Sequence, residues 1–141
     1  MFLKEEYGLK NFVVQLLILF GNVIMFLFGN FDVYLKILMV LLVIDYITGI
    51  CKSFVNKNIN SSIGATGIIK KVGYLCVVVV SVFIDQILNC GGKLRQIVIM
   101  TFIFNESISI LENSSEMGVK IPSILSTSLE KINGKEDNNS H

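Results

Sequence analysis

The sequence predicts an all-α membrane protein with three to four transmembrane helices, arranged as two helical hairpins, plus a short C-terminal amphipathic helix. Three observations predict it. Hydrophobic residues make up 52% of the 141 and charged residues only 16%, with a mean hydropathy of +0.68. Soluble domains carry about 25% charged residues, so this chain has too little charge to coat a water-facing sphere. Four apolar runs, at 12–29, 33–51, 72–90 and 94–111, each approach the ~20 residues that a helix needs to cross hydrocarbon. None shows the broad polar face of a soluble helix.

Taken in order, residues 1–11 read as a cytoplasmic N-terminus and 12–111 as the transmembrane domain. The opening MFLKEEYGLK carries two acids, and the run after it is too long for a signal-peptide core, so no cleavable signal is expected. The first run holds Gln15 and Asn22, and the gap at 30–32 makes a tight turn into the second. That second run has Lys36 near its start and Asp45 inside. One Asp at mid-membrane costs about 2.5–3.5 kcal/mol, whereas each strong apolar residue contributes about −0.3 to −0.6, so the second run inserts despite Asp45. GGKLR links the third run, which contains Asp85, to the fourth. With Asn105, Glu106 and several hydroxyls, the fourth sums to about zero on the same scale. It crosses with help from neighbours or lies at the interface, so the choice between three and four crossings stays open.

Between the second and third runs, residues 52–71 carry Lys52, Lys57, Lys70 and Lys71 and no acid. The positive-inside rule makes this basic loop cytoplasmic, and four spans then put both termini inside. Lys93 and Arg95 fall on the outer side, against the rule. Lys70 and Lys71 read as anchors to anionic headgroups at the start of the third helix. Residues 112–133 form a turn and then an amphipathic helix after Pro122, with Ile121, Ile124, Leu125, Leu129 and Ile132 at helical spacing. Residues 134–141 are a polar tail.

Polar groups within the runs fall on stripes. Gln15, Asn22 and Gly29 are spaced by seven. Asp45, Thr48, Gly49 and Lys52 follow i, i+3, i+4, i+7, as Glu106, Ser109 and Asn113 follow i, i+3, i+7. Ser81, Asp85 and Asn89 are four apart. Each run thus has one polar seam and a lipid-compatible remainder. Such seams glue a monomer together, or drive oligomerisation and line water when an assembly opens. Asp45 pairing with Lys52 across two turns would be structural.

No catalytic constellation, metal-ligand cluster or cofactor motif is present. The glycines of GATGIIKK lack P-loop spacing. A net charge of +1 leaves no footprint for nucleic acid. Cys51, Cys76 and Cys90 read as reduced, buried, small hydrophobes.

Three patches resemble the small phage-lysis and toxin-secretion holins of Gram-positive bacteria and their phages. They are DYITGI at 45–50, SSIGATGIIKK at 61–71 and NESISILENSSEMGVKIP at 105–122. The likeness covers about residues 40–130. It implies a protein without enzymatic turnover, located in the bacterial cytoplasmic membrane. Such holins oligomerise there and form lesions that release an endolysin or a large clostridial toxin, with no direct contact to that cargo required. The partners implied are therefore the bilayer and further copies of the chain. One departure concerns timing: the next Met is Met25, so a second-start inhibitor form is not expected. Two other readings compete. A four-helix dimeric multidrug transporter needs an acid in its first helix, where this chain has only Gln15 and Asn22. An inhibitor or accessory subunit of a holin would alter timing without acting alone.

Overall fold

The structure, a computed structural model, describes residues 2–57, 61–125 and 127. It contains four long helices, α1 Phe2–Phe28, α2 Val33–Val55, α3 Ser61–Ile87 and α4 Lys93–Glu116. Within them, Lys10–Phe28, Val33–Val55, Gly64–Ile87 and Lys93–Glu116 are each long and apolar enough to cross a membrane. Most of the amphipathic helix expected after Pro122, and the polar tail, lie outside the described residues.

Local chemistry ends each helix. Gly29 turns the chain out of α1 with φ +73°, and a Cβ there would meet Arg95 Nε at 3.2 Å, so both backbone and space ask for glycine. Asp32 then caps α2, its carboxylate accepting from the Leu35 N–H at 2.9 Å. After α4, Gly118 adopts φ +87°. The Val119 N–H donates to the Ser114 carbonyl and the Gly118 N–H to that of Ser115, which is the Schellman pairing.

Helices α2 and α4 form the heart of the bundle, and they run the same way. Asp32 meets Arg95 at one end, and Lys52 meets Glu116 at the other. Helix α3 packs against both in the opposite direction. Leu35, Leu38 and Leu42 of α2 close on Val78 of α3 and Ile99 of α4 as a fully buried core. Tyr74 and Phe102 stack beside it with ring centroids 4.4 Å apart. Helix α1 is different. No residue of its span is fully buried, and it touches the bundle near its last turns, where Phe26 meets Phe83 at 5.7 Å.

The stretch at 52–71 is not one loop. Lys52 belongs to α2, and α3 has already begun at Ser61, so Lys70 and Lys71 are helical. Glycine is a poor helix former in isolation, but here packing overrides propensity. Gly64 and Gly67 face Tyr46 of α2, where added Cβ atoms would sit 3.6 Å from its hydroxyl and 3.7 Å from its ring. The cysteines also differ from expectation. Cys51 and Cys76 are exposed on the chain's surface and Cys90 is half-buried, all three free. In hydrocarbon an exposed thiol is tolerated as a small apolar group, so nothing forces it into the core.

Candidate functional site

Where α2 and α4 lie side by side, their polar stripes face each other and α3 seals them. Asp45 is ten residues before the end of α2, Glu106 ten before the end of α4, and Lys71 ten after the start of α3. At 1.5 Å per residue all three lie about 15 Å from the same end of the bundle. The Lys71 ammonium bridges both acids, 2.8 Å from Asp45 Oδ2 and 2.6 Å from Glu106 Oε2. These side chains are well shielded, with exposures of 15% for Lys71, 16% for Asp45 and 5% for Glu106. In lipid, charges are tolerated only when they face one another or water, and this cluster meets that condition inside one chain.

Asn113 completes the cluster from α4. Its amide donates to Asp45 Oδ1 at 3.1 Å and to Thr48 Oγ1 at 3.4 Å. The Thr48 hydroxyl donates in turn to the Asp45 backbone carbonyl at 3.0 Å. Gly49 lies under Asn113, and an added Cβ would make ordinary contact at 3.8 Å. From the cluster a polar cavity of about 700 Å³ reaches the end where α2 and α4 stop, passing Ser109 and the Lys52–Glu116 pair. Lys52 is thus taken by Glu116 rather than Asp45, because Lys71 reaches Asp45 from the facing helix. Lys71 is likewise no headgroup anchor. Lys70, one residue earlier, is exposed and lines the same cavity, and Lys57 is exposed in the turn beyond α2.

At the opposite end Arg95 does what no motif announces. Its guanidinium donates to the Phe28 carbonyl at 2.7 Å, the Asn30 carbonyl at 2.8 Å and Asp32 Oδ2 at 2.6 Å. One side chain of α4 therefore fastens the last turn of α1 and the cap of α2. Burial alone would push the Asp32 carboxyl up. The Arg95 hydrogen bond, the Leu35 N–H and the Arg95 charge outweigh it and hold Asp32 below the ordinary carboxylate value. The arginine that ran against the positive-inside rule is accordingly neutralised by its own partner. A second polar cavity, about 490 Å³, lies around Arg95, Asp32 and Asp85. The Leu35–Leu38–Leu42, Val78 and Ile99 layer stands between the two cavities.

The remaining seam residues scatter. Ser81 is buried, but its hydroxyl donates to the Val78 carbonyl of its own helix at 2.6 Å. Asp85 turns away from the seam and caps α4, accepting from the N–H groups of Gly92 at 2.6 Å and Leu94 at 2.8 Å. Asn89 takes φ +52° in the turn after α3. Gln15 and Asn22 are exposed on α1, apart from every other polar group of the site.

Comparison with known proteins bears on what such a bundle is. A model of the bacteriophage holin family matches residues 22–134. An uncharacterized 14.9 kDa protein from the nagH 3′ region of Clostridium perfringens is 36% identical over 127 residues, covering 89% of this chain and 96% of the relative. A Listeria monocytogenes relative, also uncharacterized, is 37% identical over 124 residues, 86% of this chain and 89% of its own. A protein named probable holin, from Bacillus phage phi105, is 36% identical over 112 residues, covering 79% of this chain and 82% of its own. No solved structure matches. A family match that runs from the last turns of α1 through α2, α3 and α4, joined by relatives alike along most of their length, means that the chain belongs to the bacteriophage holin family, as a multi-pass protein of the cytoplasmic membrane.

Proposed function

We propose that the protein is a holin in action as well as in family, oligomerising in the cytoplasmic membrane into lesions that release an endolysin or a large toxin. The observation that carries this reading is the closed bundle core. An apolar layer from Leu35 to Ile99 separates the two polar cavities of one chain, with Leu38, Val78 and Ile99 fully buried. A single bundle therefore has no passage, and protein-sized cargo has to cross between copies. The basic end, with Lys52, Lys57 and Lys70, faces the cytoplasm in this reading. Non-enzymatic action fits a family defined by lesions rather than turnover. The transporter alternative is disfavoured because the α1 span carries no acid.

The test is induction in a bacterium loaded with a membrane-potential dye, with and without a co-expressed endolysin. Abrupt depolarisation after a lag, and lysis only with the endolysin, is the expected result. Drug resistance without killing would establish the transporter instead. Silence alone, combined with altered timing of a second holin, would establish an inhibitor.

A further inference from the structure

We propose that α1 is the surface on which one copy recognises another, through a carboxamide stripe in which Gln15 meets Gln15 and Asn22 meets Asn22 at equal depth. The inference rests on the self-assembly proposed above and names its surface.

The stripe lies on a part of α1 that the rest of the chain leaves uncovered. Every residue from 10 to 23 is exposed, whereas Ile24, Leu27 and Phe28 are partly covered by the bundle. At 100° per residue, Asn22 lies about 160° round α1 from Ile24 and Gln15 about 180°, on the side of Phe26, whose contact with Phe83 in the last turns of α1 ends the free part of that face. The two amides point the same way, since a seven-residue step drifts only about 20°. Among the described residues neither has a hydrogen-bond partner. Both lie well inside the Lys10–Phe28 span, five residues from one end and six from the other. A carboxamide has two donors and an acceptor, and hydrocarbon satisfies none of them.

The chain itself offers α1 no complement. The acids Asp45 and Glu106, Lys71 and Asn113 are paired internally, no buried side-chain nitrogen or oxygen among the described residues lacks a partner, and Asn105, exposed on α4, borders the polar cavity rather than α1. A carboxamide is, however, its own complement, because it donates and accepts at once. Copies inserted with one orientation bring identical residues together at identical depth. Polar residues at seven-residue spacing then fix register as they do in coiled coils. Ile18, between the two amides and 59% exposed, supplies the apolar contact of the same face.

The experiment uses the full chain in membrane vesicles, with Cys51, Cys76 and Cys90 replaced by Ala. Ile18→Cys keeps both amides and lies on the stripe, whereas Phe20→Cys lies on the far face. Oxidation is expected to yield a disulfide dimer from Ile18→Cys and little from Phe20→Cys. Adding Gln15→Leu and Asn22→Leu should lower the Ile18→Cys yield several-fold, while carbonate-resistant insertion persists. Equal crosslinking on both faces, a yield indifferent to the amides, or crosslinking to a different protein would overturn the inference. Depolarisation is read in the cells from which the vesicles are prepared. Depolarisation without Ile18 crosslinking removes this surface and leaves the holin reading standing; crosslinking without depolarisation does the reverse.

Discussion

Helix α1 and the α2–α4 pair carry the same kind of local pattern and meet opposite fates. Each has polar side chains at helical spacing within an apolar span. On α2 and α4 the stripes face each other, and Lys71 and Asn113 satisfy the acids at 2.6–3.1 Å. On α1 the amides face outward with nothing opposite. The difference teaches that a polar seam is a demand for a complement, and that the chain's topology decides whether the complement comes from within or from another molecule.

The contrast breaks hardest at Lys71. Lys71→Met leaves Asp45 and Glu106 shielded and unpaired, which costs about 3–5 kcal/mol when one member of a buried ion cluster is removed. Thermal unfolding in detergent should register a large loss, and Asp45→Asn with Glu106→Gln should restore most of it. Arg95→Leu is expected to cost somewhat less, about 2–3 kcal/mol, since three charge-assisted hydrogen bonds vanish while the Asp45 cluster persists. Faster proteolysis at the 29–32 turn, with α2–α4 still protected, is the signature. Asp45→Leu should disturb assembly more than insertion, so that the crosslinking ladder changes and carbonate resistance does not. Glu106→Gln keeps a Lys71–Asp45 pair of balanced charge, so stability should change by only about 1 kcal/mol. Its effect is expected in lysis timing at matched protein level, and unchanged timing would remove Glu106 from the trigger.

The smallest effect is in pH. Because the folded Asp32 carboxyl is held below its ordinary value, its clamp contributes fully above the ordinary carboxylate range. That contribution is lost only as pH falls through the lowered folded value. The stability gap between wild type and Asp32→Asn should therefore stay constant from neutrality to mild acid and close only in strong acid. A gap that closed near neutrality would contradict the assignment.

Much of this was legible in advance. Four apolar runs announced the four helices, and the i, i+3, i+7 spacing put Asp45 with Thr48, and Glu106 with Asn113, on single faces. The start of α3 was not legible, since Ser61, Gly64 and Gly67 have weak helix propensity and the two glycines pack on Tyr46, distant in sequence. The role of Lys71 was hidden by its place beside Lys70 in a basic stretch. A charge count held the clue: two acids sat deep in seams whose one cation, Lys52, lay two turns away near the end of α2. Asp85 misled for the opposite reason, because its spacing fitted a seam while the next turn offered it bare N–H groups. Arg95 looked like an exception because spacing rules describe one helix, and its three acceptors lie 63–67 residues away.

The arrangement also has a history in time. Lys71 lies 26 residues after Asp45, and Glu106 35 residues after Lys71. At ~5–20 residues per second, the ribosome leaves Asp45 without its counter-charge for roughly one to five seconds. During that interval the nascent helical hairpin enters lipid with an orphan acid, and the insertion machinery or residual water has to shelter it. Chains arrested before Lys71 emerges should therefore be extracted by carbonate more readily than chains arrested after it, and Asp45→Leu should abolish the difference.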